Sequence, residues 1–157
     1  MGALNDVAAV PAGVLLRAAG VADTDAVLGL ARASGLLETG IAGALERFVV
    51  AVRGATIVGA CGLEVHAEHG LLRTLGVSEA ARGQGVGRAL AISVVERARA
   101  EGLAGVYLLT TTARGFFARL GFEEAPRAQA PAGIRESWEF RSGCPDTAVL
   151  MRLTPPA

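Results

Sequence analysis

The chain has 157 residues, 52 % of them hydrophobic, and 15 acidic side chains balance its 15 lysine-plus-arginine positions, which suits one domain with a sizeable core. Zero net charge argues against a partner held by bulk electrostatics, nucleic acid above all. No apolar run approaches the roughly 18 residues of a membrane span, and there is no lysine to form a Schiff base or to complete a phosphate loop.

Met1 to Gly13 is small and irregular, so residues 1–12 are expected to be a flexible tail and 13–157 one domain. Val14 to Ala18 reads as a strand. Asp23 is placed to cap a helix whose apolar residues Ala26, Val27, Leu30 and Ala31 have helical spacing, with Gly35 near its stop. A short helix over Ile41 to Leu45 precedes a β-rich run, Phe48 to Val52, and a turn at Arg53-Gly54. Thr56 to Val65 and Leu71 to Val77 read as strands around a turn at His66 to Gly70, giving an antiparallel meander. A glycine-rich loop leads into a helix from about Gly85 to Ala100, with Val86, Leu90, Val94 and Ala98 four apart. Val106 to Thr110 is the next strand, so strand, loop, helix and strand make a parallel crossover. Thr111 or Thr112 is placed to cap a helix over Gly115 to Leu120, stopped by Gly121. Phe122 to Ala125, a short helix over Pro131 to Trp138 and a strand at Val149 to Leu153 follow. The fold class is α/β (α+β): a mixed sheet, an antiparallel meander continued by one parallel crossover, with helices on both faces.

The strongest motif is Arg82-Gly83-Gln84-Gly85-Val86-Gly87, between a strand and a helix. Glycines let the backbone turn sharply and let its N–H groups approach a ligand closely. A helix N-terminus adds unpaired donors and a positive dipole end. Together they make a pyrophosphate cradle that needs no lysine. The segment is not a Walker loop, since it ends Gly87-Arg88-Ala89, and Gly83, Gly85 and Gly87 lack dinucleotide-fold spacing.

Arg82, Gly85 and Gly87 match, residue for residue, the Gln/Arg-x-x-Gly-x-Gly/Ala coenzyme A motif of the GNAT (Gcn5-related N-acetyltransferase) superfamily. Ala113 to Phe122 resembles that superfamily's C-terminal element, with Phe117 where a tyrosine is usual. The resemblance covers residues from about 45 to 125. Leu108 to Ala113 and Glu139 to Pro145, ending in Ala148 to Met151, are similar to arsenic-resistance N-acetyltransferases. Those in turn are similar to the acetyltransferase domain of N-acetylglutamate synthases.

The resemblance implies acetyl-CoA as cosubstrate. It would be held by Leu75, Gly76, Val77, the loop residues Arg82, Gly83, Gln84, Gly85, Val86, Gly87 and Arg88, and by Thr110, Phe116 and Phe117. The Leu75 N–H would be the oxyanion donor. Strand alternation sets Arg73 on the side of Leu71, Leu75 and Val77. A symmetric hairpin loop near Glu68 sets Glu64 opposite Arg73. The pair reads either as a plain ion pair or as a site in which Arg73 binds a substrate carboxylate. Glu64 then holds Arg73 or acts, through water, as base. Arg135 and Arg141 offer a second carboxylate clamp or a solvated face. Trp138 lines the acceptor pocket or anchors its helix. His66 and His69, three apart beside the turn, read as solvated turn residues or as ligands or bases.

The two cysteines, Cys61 and Cys144, make neither a disulfide framework nor a zinc site and read as packing; no metal is expected. Without a basic region leading into an apolar stretch, the expected location is cytoplasmic. The expected reaction is direct acetyl transfer to the amine of a small carboxylate-bearing acceptor, an amino acid or an amino-acid-like arsenical. The rivals are a protein or antibiotic amine, and an acyl-CoA-binding sensor without catalysis, which the absent tyrosine at Phe117 would suit. Neither nucleic acid nor membrane is an expected partner; a homodimer is compatible with the reading.

Overall fold

The computed structural model describes residues 10–143 and 147–154. Most of the expected tail, Cys144 and the terminal Pro155-Pro156 lie outside the described residues. Seven strands pair in the order β1-β2-β3-β4-β5-β7-β6. They are β1 (Val14–Ala18), β2 (Phe48–Arg53), β3 (Thr56–His66), β4 (His69–Val77), β5 (Gly105–Thr110), β6 (Glu123–Ala125) and β7 (Val149–Leu153). The helices are α1 (Thr24–Ala33), α2 (Val86–Ala100), α3 (Arg114–Arg119) and α4 (Ala132–Arg135). β1 pairs with β2 and β2 with β3 antiparallel, while β4 pairs with β5 in parallel. This is the mixed sheet that the meander and crossover predict.

Among the described residues the chain forms two compact units, 10–63 with 74–94, and 64–73 with 95–154. In the first, α1 buries Val27, Leu30 and Ala31 with Ile41, Leu45, Phe48 and Val50. Those helix positions recur three and four apart, which is why the segment is a helix with one apolar face. Gly35, at φ 69, ends it, and the Leu36 N–H returns to the Ala31 carbonyl at 2.8 Å. Asp23 precedes α1, but its carboxylate makes no capping bond to that helix. It accepts instead from the Gly20 N–H at 2.8 Å and from both Arg17 guanidinium nitrogens at 2.8 and 3.0 Å. An arginine within reach competes better for the anion than a helix amide does.

In the second unit, Leu71, Ala125, Ala130, Ile134 and Leu150 form the core. β7, the last strand of the chain, lies between β5 and β6 and pairs antiparallel with both. Sequence order alone does not place it there. Neither Thr111 nor Thr112 caps α3, which follows Ala113; the Ala113 N–H donates to Thr110 Oγ1 at 3.0 Å. The helix expected over Pro131 to Trp138 is only α4, followed by a π-helical turn at Glu139–Gly143.

The β3–β4 turn is tighter than the expected His66 to Gly70. It is two residues, Ala67 and Glu68, with Ala67 left-handed at φ 57. A loop of that length faces His66 with His69, so Glu64 and Arg73 stand diagonally rather than directly opposite. Thr74 is also left-handed, at φ 57, inside β4. That conformation is uncommon for a β-branched residue and marks an irregularity of the bulge kind. It interrupts the alternation that would set Arg73 on the side of Leu75 and Val77. The parallel pairing of β4 with β5 runs over His69–Leu71.

Candidate active site

The glycine loop belongs to the first unit. β4 ends at Val77, and the Ser78 N–H bonds the Val58 carbonyl of β3 at 2.8 Å. One 3-10 turn, Glu79–Ala81, intervenes before Arg82, whose Nε donates to the Val77 carbonyl at 3.0 Å. The motif arginine therefore ties the loop back to its own strand. Gly83 and Gly85 take φ of 76 and 91, values that a side chain strongly disfavours. Gln84 sits between them with its amide engaged at both ends. Nε2 donates to the Ala80 carbonyl at 3.1 Å, and Oε1 accepts from Arg53 at 2.6 Å. The Ala89 N–H donates to the Gly85 carbonyl at 3.1 Å. Val86, Gly87 and Arg88 make up the first turn of α2, at its positive end.

Close packing holds this loop and helix in place. A Cβ at Gly59 would stand 2.8 Å from Leu90 and 3.0 Å from Val86, so glycine in β3 admits α2. A Cβ at Gly76 would stand 3.2 Å from both the Leu30 carbonyl and Ser34 Oγ. Glycine there admits the end of α1 against β4, between Leu75 and Val77, the two residues expected to carry the thioester.

The second unit holds a cluster of charges. Arg73 Nη1 donates to Glu64 Oε2 at 2.9 Å and lies 3.1 Å from Glu139 Oε2. His66 Nε2 lies 2.9 Å from the other Glu64 oxygen. The Arg73 and Glu139 side chains are only 7 % and 8 % exposed. Burial pushes the Glu64 carboxyl up, but hydrogen bonds with His66, Glu139 and Arg73, and the Arg73 charge, outweigh it and hold Glu64 at about 2. Glu139 goes the other way. Burial, then its hydrogen bond to Glu64 and the repulsion of that carboxylate, push it up to about 7 against the pull of Arg73. The hydrogen bond to Glu64 raises His66, against the opposing effect of burial. Two carboxyls within reach of one guanidinium cannot both ionise freely, and here the environment separates them.

Of the sequence-derived site residues, the structure therefore brings Glu64 and Arg73 into contact. Arg135 and Arg141 are exposed, as is Trp138 at 42 %. The arginine that organises this stretch is Arg127. It donates to the Ala148 and Phe140 carbonyls at 3.0 and 3.4 Å, and its guanidinium lies 4.6 Å over the Phe140 ring. Phe117 is buried, edge-on to Phe116 and Phe122 at 5.0 and 5.5 Å. Cys61 is fully buried and burial pushes its thiol up, which makes it unreactive.

Sequence reasoning missed Glu139 and underrated His66. Glu139 lies on a π-helical turn that no periodicity announces, 66 residues beyond Arg73 in sequence. The signal for His66 was present: it stands two residues from Glu64 on one strand, hence on the same face. Gly133 of α4 comes close to it, since a Cβ there would stand 3.2 Å from the His66 Cβ and carbonyl.

A mixed sheet whose β4 runs into a lysine-free glycine loop and a helix N-terminus is the setting expected for the coenzyme A motif. The chain belongs to the acetyltransferase (GNAT) domain family, which matches residues 44–124. Solved structures agree on the fold. N-acetylglutamate synthase from Neisseria gonorrhoeae, complexed with coenzyme A and N-acetyl-glutamate, superposes with a TM-score of 0.82 at 20 % identity, over 94 % of this chain and 36 % of that one. The chain thus spans about a third of the length of that synthase. Rv2747 from Mycobacterium tuberculosis, in complex with CoA and NLQ, gives 0.76 at 25 % identity, over 89 % and 98 %. The ribosomal-protein-S18-alanine N-acetyltransferase from Escherichia coli gives 0.70 at 20 %, over 92 % and 95 %. Among the described residues no helix is long and apolar enough to cross a membrane.

Proposed function

We propose that residues 13–157 act as one acetyltransferase domain that moves acetyl from acetyl-CoA to the amine of a small carboxylate-bearing acceptor. The acceptor is an amino acid or an amino-acid-like arsenical. Arg73 carries the reading. It is a planar donor set, buried on β4 and suited to a carboxylate. It stands two residues before Leu75. In this reading Arg73 orients the acceptor, and Glu64, held ionised by its partners, anchors Arg73 or acts, through water, as base. Arg82 to Arg88 hold the pyrophosphate. The amine nitrogen bonds to the acetyl carbonyl carbon, whose oxygen is held by the Leu75 N–H. The C–S bond breaks, coenzyme A leaves as thiolate, and the amine's proton passes to water.

The test is acetyl-CoA-dependent thiol release with the twenty proteinogenic L-amino acids, each against its decarboxylated amine. A lost charge-assisted hydrogen bond costs about 1.5–3 kcal/mol, so the best amino acid should exceed its amine by on the order of 10–150-fold in kcat/KM. Equal rates would remove the carboxylate from the reading. Turnover of a peptide N-terminus in preference to every amino acid would favour the protein-acetylating rival. The structural likeness to the ribosomal-protein enzyme keeps that rival in view.

A further inference from the structure

We propose that Glu139 competes with the acceptor's carboxylate for Arg73, so that acceptor binding is coupled to uptake of one proton by Glu139. This inference rests on the reading that Arg73 receives that carboxylate. Glu139 and Glu64 share one guanidinium nitrogen, at 3.1 and 2.9 Å, so a carboxylate already stands where an incoming one would bind. Both the arginine and Glu139 are nearly shielded from water. In such surroundings charges must balance, because an unpaired buried anion costs several kcal/mol. Arg73 and a protonated His66 supply two positive charges, and Glu64 with the acceptor's carboxylate supplies two negative ones. Glu139 then fits only as the neutral acid.

The groups bonded to or charging Glu139 are Arg73 from β4 and Glu64 from β3, with His66 behind Glu64. Arg135, Glu136 and Arg141, which flank it in sequence, are exposed. Glu139 is pushed up to about 7, so the exchange falls in the physiological range. Below that pH the glutamate is neutral and no longer competes as an anion with the acceptor's carboxylate for Arg73. Above it the glutamate's own anion occupies Arg73. The device tunes acceptor affinity without adding a contact to the acceptor.

The probe is the N-acetyl derivative of the best acceptor among the twenty L-amino acids, bound to the enzyme saturated with coenzyme A. It keeps the carboxylate and has no amine to titrate. Calorimetry in two buffers of different ionisation enthalpy counts protons. We expect uptake of about one proton at pH 8 and close to none at pH 6. Between pH 7.5 and 8.5 Kd should weaken about tenfold, the slope for one linked proton. In Glu139→Gln both effects should vanish. Uptake that persists in Glu139→Gln belongs to His66 and overturns the assignment. So does a wild-type Kd that is flat across this range. If Glu139→Gln fails to bind coenzyme A, the wild-type proton count decides: none at pH 8 sinks the proposal. The N-acetyl derivative of the decarboxylated amine separates the two layers. If it binds as tightly as the amino-acid derivative, the carboxylate reading of Arg73 fails; if it binds weakly while the proton count is zero, only the exchange fails.

Discussion

Phe117 occupies the position where the superfamily resemblance leads one to expect a tyrosine, and it has no hydroxyl to give the departing thiolate. Its ring is buried edge-on between Phe116 and Phe122, which is a packing role. A thiolate whose acid has a pKa near 8.5 leaves without an acid at neutral pH. Phe117→Tyr should therefore leave kcat within about tenfold, a barrier change under about 1.4 kcal/mol. Steady-state thiol release checks this, and a rise of a hundredfold would show that thiolate protonation limits the natural enzyme. At this scale the sequence was informative wherever a residue's partner lay on the adjoining strand. Glu64 and Arg73 were legible because one hairpin carries both. Glu139 was not, because its contact with Arg73 depends on where a later, irregular turn comes to rest.

The loop and the helix it opens behave as one element. Gly85 has φ 91, and Pro11 lies 3.7 Å from where its Cβ would be. A valine there is strained by backbone conformation more than by crowding, and its branched side chain would stand among the amides proposed to hold the pyrophosphate. Gly85→Val should weaken coenzyme A binding at least tenfold, read by calorimetry, while the circular dichroism spectrum keeps its helical content. Undiminished affinity in that folded variant would falsify the assignment of the loop. The loop was visible in sequence because glycines, a preceding β-run and a following apolar period all point to the same local geometry. What the sequence did not show is how Arg82 and Gln84 spend their side chains. Both hold the loop to its neighbours, a matter of rotamers and not of spacing.

At the scale of the whole molecule, buried charge sets the dependence of stability on pH. Glu64 and Asp23 are held near 2, below their ordinary 4.5 and 3.8, and so contribute stability above those ordinary values that is lost as pH falls through about 2. Glu139 is raised from 4.5 to about 7, so the folded state keeps its proton longer than the unfolded chain, and stability falls as pH rises across that interval. His66 is raised from 6.5, so its contribution is complete below 6.5 and is lost as pH rises through its folded value. Stability should peak near pH 4.5–5 and decline towards pH 8. Glu139→Gln should flatten the decline between pH 5 and 7 and leave the part due to His66. Thermal unfolding followed by circular dichroism at pH 5, 6, 7 and 8 tests this; a wild-type Tm that climbs steadily over the series would rule it out.

The strands of the meander, the crossover helix α2 and the glycine loop were determined by the sequence alone. Each rests on a period, a cap or a left-handed glycine, and these act over a few residues. Tertiary structure decided the rest. β7 pairs with both β5 and β6, a placement set by which strand edges meet in the folded molecule and not by order along the chain. Asp23 abandons α1 because Arg17 lies closer in space than any pattern reveals. The left-handed Thr74 ends an alternation that strand residues otherwise follow. Glu139 reaches Arg73 across 66 residues of chain, and its proton affinity is set by that burial and by Glu64. Long-range contacts of this kind carry no local signature, since they depend on how the packed elements meet and not on what any one of them prefers.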